Sequence, residues 1–117
     1  MIANPRPLAP YCTTSGVRTV PAGSTEAQAI LQAGLLDDAA PRAWAVNLVG
    51  DGVVAGSWTI TAGDYWGQVV FQRPFVLGQT FDSLTVAGRY VSVKWTPAAS
   101  TGRDYQVGAT VGLFSQQ

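Results

Sequence analysis

From Trp44 onward, apolar and polar residues alternate with a period of two, and Gly, Pro or Asp breaks the alternation at short intervals. That pattern constrains the chain more than any other feature, because a period of two puts one side-chain set on each face of a strand. Trp44, Val46 and Leu48 share one face. Trp58, Ile60 and Ala62 share another, opposite Ser57, Thr59 and Thr61. Val69 and Phe71 read as inward beside Gln68 and Gln72. Val91, Val93 and Trp95 oppose Tyr90, Ser92, Lys94 and Thr96. Tyr105, Val107, Ala109, Val111 and Leu113 close the series. Asp51-Gly52 reads as a hairpin turn, and Gly88 as the turn of a second hairpin between residues 81–87 and 89–96. Pro74 reads as an interruption. With residues 17–20 added, about eight short strands fill roughly 100 residues, which predicts a single all-β domain, an antiparallel β-sandwich or jelly roll.

Two segments depart from the alternation. Prolines 5, 7 and 10 forbid a helix or a central strand near the start, so residues 1–16 are expected to form an extended arm, with residues 17–117 as the β domain. The arm either folds back on its own domain or lies on a neighbouring subunit. In residues 25–33, Thr25 and Gln28 have capping-box spacing, Ala27, Ile30 and Leu31 fall on one helical face, and Gly34 is a stop. This predicts one short helix, although a strand also fits. The opening residues hold no apolar run of secretory-signal length, and no stretch is long enough for a membrane span.

Charge narrows the function classes. Charged residues are 12% of the 117, and seven basic residues cancel seven acidic ones. Apolar residues are 47%, which argues against disorder. Zero net charge argues against binding nucleic acid through phosphates. There is no histidine, so the commonest general base and metal ligand are missing. The single cysteine, Cys12, cannot form an intrachain disulfide and has no histidine to activate it. Gly50-Asp51-Gly52-Val53-Val54-Ala55 matches a loose dinucleotide fingerprint, but β-periodic segments flank it and no helix follows. Asp37-Asp38, Asp51, Asp64 and Asp82 mostly sit beside Gly or in loops and lack calcium-loop spacing. The expectation is therefore no catalysis, no cofactor and no metal. The neutral surface has two competing explanations: ordinary solubility through Thr, Ser, Gln and Asn, or coverage by partners, where charge is depleted at interface cores.

The candidate interaction residues follow from these readings. Ile2, Pro5, Arg6, Pro7 and Tyr11 lie in the arm. Tyr65 and Trp66 are adjacent, so on a strand one of them leaves the core. Tyr90 opposes an inward face. Arg73 falls on the apolar side of its strand, which means either a sheet edge or an earlier strand end. Six of the seven basic residues are arginine, a residue suited to interfaces.

In overall character the chain resembles small virion proteins of tailed bacteriophages, in particular capsid decoration or cement proteins. MIANPRPLAP corresponds to the arm, and the Thr/Gly/Val-rich strands run to YQVGATVGLFSQQ. The resemblance implies many copies on a capsid lattice and binding at capsomer junctions. It implies partners among major capsid protein, other virion subunits and copies of itself, in a virion. Head–tail connector, tail, baseplate and fibre-head subunits share the same character. A different class, a carbohydrate-binding β-sandwich, requires an exposed Tyr65, Trp66 or Tyr90 on one face with Asp or Gln beside it.

Overall fold

The computed structural model describes residues 14–34, 42–64 and 67–113, and these hold eight strands. They are β1 (Thr14–Val20), β2 (Gln28–Gly34), β3 (Arg42–Val49), β4 (Gly56–Asp64), β5 (Gly67–Phe75), β6 (Phe81–Gly88), β7 (Tyr90–Pro97) and β8 (Tyr105–Leu113). All pairings are antiparallel. Sheet A has the order β1-β8-β3-β6 and sheet B the order β2-β7-β4-β5. The inward alternation sets meet in one core. Trp44, Val46 and Leu48 of β3 and the odd-numbered residues of β8 face Trp58 and Ile60 of β4 and Val91, Val93 and Trp95 of β7. Trp58 and Trp95 lie 4.9 Å apart, with Phe75 edge-on to both. Such rings add directional packing to the area they bury. Two indole N–H groups find acceptors inside: Trp44 Nε1 donates to the Gly88 carbonyl, and Trp95 Nε1 to the Tyr105 hydroxyl, each at 3.0 Å.

The predicted helix over residues 25–33 is not formed; strand β2 occupies Gln28–Gly34 instead. β2 pairs with β7, and the register shifts between Ala29 and Leu31, so Ile30 is an extra residue in a β-bulge. The bulge resets the inward phase, and adjacent Ile30 and Leu31 both end up against the core. Apolar residues at 27, 30 and 31 imitate helical spacing for that reason. The capping signal is a local turn in which Glu26 N–H donates to Ser24 Oγ. β1 begins at Thr14, so residues 14–16, read as the end of the arm, pair with β8.

Neither expected hairpin pairs with itself. β3 belongs to sheet A and β4 to sheet B, so Asp51-Gly52 lies in a crossing between layers. The turn geometry is real, with Gly52 at φ 86°, where glycine is favoured. Its hydrogen bonds go elsewhere: Gly50 N–H to Thr80 O and Gly78 N–H to Gly52 O. β6 and β7 likewise separate at Gly88, and Arg89 N–H donates to Gly63 O on β4. Adjacent strands paired as a hairpin occur at β4–β5, where Asp64 is opposite Gly67. Pro74 does not end a strand. It sits within β5, an edge strand, where its missing N–H breaks no ladder. Val69, read as inward, is exposed near the free end of that edge.

The loops between β1–β2, β7–β8, β3–β4 and β5–β6 are tied in sequence at one end of the molecule. Gly23 N–H donates to Thr101 O and Ala22 N–H to Asp104 Oδ1. Arg103 pairs with Asp51 at 3.1 Å, and residues 50–52 bond to residues 78–80.

Candidate functional site

Among the described residues, the two outer faces and two open sides of the layered structure present side chains to a partner, and the loop end adds exposed Val53, Val76 and Leu77. Two arginines sit on the open sides. On one side β1 lies close to β2, and Arg18 Nε donates to the Ala29 carbonyl at 3.0 Å. On the other, Arg73 of β5 reaches β6. Its Nη2 donates to Ser83 O at 3.1 Å, and its Nε lies 3.3 Å from Asp82 Oδ2. Arg73 is therefore at a sheet edge, the first of the two positions its sequence context allowed. Both guanidinium groups lace one sheet to the other.

The outer face of sheet A follows from the register. One row across four strands is Val17, Gly108, Val49 and Phe81. The next is Ser15, Thr110, Asn47 and Ser83, followed by Gly112, Ala45 and Thr85. None of these residues carries a charge. Val17, Val49 and Phe81 are 70%, 49% and 56% exposed, so the first row is an apolar stripe on a face otherwise built of small residues. A shallow depression of about 250 Å³ lies along it, between Val17 and Val49 over Gly108. Exposed apolar residues aligned in one patch carry more meaning than the same residues scattered.

The outer face of sheet B is different. Its rows are Gly34, Tyr90, Gly63 and Gln68, then Gln32, Ser92, Thr61 and Val70. Lys94, Thr59 and Gln72 form the third. Six of the eight residues in the first two rows, all but Gly63 and Val70, line a groove of about 560 Å³. A Cβ on Gly63 would collide with the Tyr90 ring and hydroxyl, so the ring lies across the bare backbone of β4. Its hydroxyl continues to β5 and donates to Gln68 Oε1 at 3.0 Å. Tyr90 is 40% exposed. Further along, Ser57 and Thr59 hydroxyls donate to Gln72 Oε1 at 3.1 and 3.3 Å.

Of the residues singled out in the sequence, Ile2, Pro5, Arg6, Pro7, Tyr11, Tyr65 and Trp66 lie outside the described residues. Arg73 and Tyr90 are on different surfaces and do not converge. The stripe of Val17, Val49 and Phe81 escaped the sequence reading because it exists only across strands. Within each strand, each of the three reads as one more apolar residue. Among the described residues, no three His, Cys, Asp or Glu side chains converge as a metal site would require.

No protein-family model matches the chain, and no curated protein matches it in sequence. Solved structures do share its fold. The enzymatically active domain of bacteriophage CBA120 tailspike protein 4 matches with a TM-score of 0.53 at 12% identity over 87% of this chain. The chain spans 18% of that tailspike chain. The Yersinia pseudotuberculosis-derived mitogen matches with a TM-score of 0.60 at 5% identity, covering 90% of this chain and 88% of the mitogen. The PRD1 vertex protein P5 matches with a TM-score of 0.51 at 8% identity, covering 87% and 72%. At such identities the likeness shows the fold alone.

Proposed function

We propose that the chain is a non-catalytic structural subunit of a viral particle, and specifically a capsid decoration or cement protein that holds neighbouring subunits together through the outer face of sheet A. The observation that carries this reading is that face: eleven positions in three cross-strand rows without a charge, crossed by an exposed stripe of Val17, Val49 and Phe81. Burying such a face against a subunit strips no ion of its water and removes apolar area from solvent. We read the strand order as that of a jelly roll, an architecture frequent in capsid domains. The bacteriophage tailspike domain and the vertex protein among the similar structures lend support at the level of the fold. The partners are major capsid protein, other virion subunits or copies of this chain, and the location is the virion. The non-catalytic part of the reading draws on the missing histidine and on Asp51 and Asp82 being spent on ion pairs.

Particles assembled with the wild-type and the Val49→Asp chain test this. Quantitative mass spectrometry is expected to find many wild-type copies per particle and at least tenfold fewer of the variant. Variant particles rupture at lower temperature. A chain absent from particles overturns the reading. A chain present without effect on rupture moves it from the shell to the tail or the head–tail junction. The proline-rich segment is proposed to strengthen the same attachment: deletion of residues 1–12 leaves the eight strands folded by circular dichroism and lowers the copy number.

A further inference from the structure

We propose that the groove on the outer face of sheet B is a binding site for a neutral carbohydrate, with Tyr90 as the platform on which a pyranose ring stacks. The inference stands apart from the assembly reading, because it concerns the opposite face and needs no neighbouring subunit.

The platform is prepared by the backbone. Tyr90 lies between two glycines, Gly34 on β2 and Gly63 on β4, directly opposite it in the register. The absence of a side chain at Gly63 lets the ring lie down on β4, and the hydrogen bond to Gln68 pins its far end. The hydroxyl end of the ring lies over Gly63, and the side chain stays 40% exposed along the groove. Exposed aromatic side chains ordinarily rotate, and ordering them on binding costs affinity. Here that ordering exists beforehand.

The rim supplies what a sugar's hydroxyls need. The Tyr90 bond occupies Gln68 Oε1, which leaves the Gln68 Nε2 amide as a donor. Gln32, Ser92 and Thr61 line the same groove and make no side-chain hydrogen bond to other described residues. These are neutral groups that both donate and accept. Among the described residues, no charged residue lines the groove. A pyranose offers an apolar C–H face bordered by neutral hydroxyls, which matches a ring face bordered by amides and hydroxyls. A phosphate, a carboxylated sugar or an acidic peptide would find no cation among the lining residues. The groove volume of about 560 Å³ falls within the roughly 300–1,000 Å³ of small-molecule sites. One platform among the described residues and an open groove imply a weak site, with Kd of about 1 mM.

The full chain, labelled with 15N, is titrated with maltotriose, cellotriose, mannotriose and chitotriose, and with sialyllactose as the anionic probe. At least one neutral sugar is expected to shift the amide signals of Gly34, Gly63, Tyr90 and Ser92 saturably. Tyr90→Ala abolishes those shifts, Gln68→Ala weakens binding several-fold, and Phe81→Ser on the opposite face leaves it unchanged. Gly63→Ala provides the independent check, since it lifts the ring without removing it, and weakens binding by about tenfold or more. The proposal is overturned if none of the four neutral sugars moves these signals at tens of millimolar. Binding by sialyllactose alone overturns it too, as does binding that survives in folded Tyr90→Ala.

Discussion

The outer faces of sheets A and B are built by the same alternation and are almost equally poor in charge, with Lys94 the one charged residue in the central rows of either. They nevertheless present opposite chemistry. Sheet A fills its outward positions with Ala, Gly, Ser and Thr around Val17, Val49 and Phe81, which makes a flat surface with an apolar stripe. Sheet B fills them mainly with Gln, Thr, Ser and Tyr, with Val70 and Lys94 among them, and Gly63 lets one aromatic ring lie down beside a groove. Low charge is therefore two different properties in one molecule. A flat neutral face gains by excluding water over a broad area. A grooved neutral face gains by directed hydrogen bonds to something small. The net composition averages the two and shows neither.

The sharpest way to break this comparison is to place one charge on sheet A. Val49→Asp puts a carboxylate at the centre of the stripe. Val49 is about half exposed in the free chain but paired on both sides in a strand, so folding stability measured in urea should fall by about 1 kcal/mol. Once the face is covered, an unpaired carboxylate costs about 2 kcal/mol or more, which is over tenfold in affinity. Association should collapse while the sheet B groove keeps its binding. If both faces lose function together, they are not separate surfaces.

The next effect is on sheet B and is read as stability. Gly63→Ala forces the Tyr90 ring and hydroxyl to move, because a methyl group cannot share their space. Overpacking of this kind costs about 1–3 kcal/mol. The ring here is partly exposed and can lift, which places the expected loss toward the lower end of that range. Denaturation in urea measures it, and incorporation into particles should be unaffected.

How much of this was legible in the sequence depends on which contacts define each feature. Inward sets such as Trp44/Val46/Leu48 and the odd residues of β8 were readable because a strand's alternation is local. Partner assignment was not. Asp51-Gly52 specifies that the chain turns, and Gly52 does take a positive φ, yet the turn leads into the other sheet. Ile30 shows the same limit, since a bulge is an agreement between two strands and one strand alone reads as a helix. Tyr90 was visible as an outward aromatic. Its platform geometry was not, because it requires Gly63, 27 positions away in the chain, to stand opposite.

The smallest expected effect concerns the two arginines that belong to neither face. Arg18→Met and Arg73→Met keep an apolar stem and remove the guanidinium from each open side. Arg73 and Asp82 side chains are 40% and 27% exposed, so solvent screens the pair, and with the bond to Ser83 O the loss should be about 0.5–1 kcal/mol. Arg18 makes one bond to a neutral carbonyl while exposed, and its loss should be nearer about 0.5 kcal/mol. The two lie on opposite sides of the molecule, so the double variant should show their sum. Both variants should keep assembly and sugar binding, because each guanidinium spans the gap between sheets and reaches neither outer face. Should the double variant fold normally and still lose incorporation, the arginines would be contacting a partner, and the division of labour between the two faces would need a third surface.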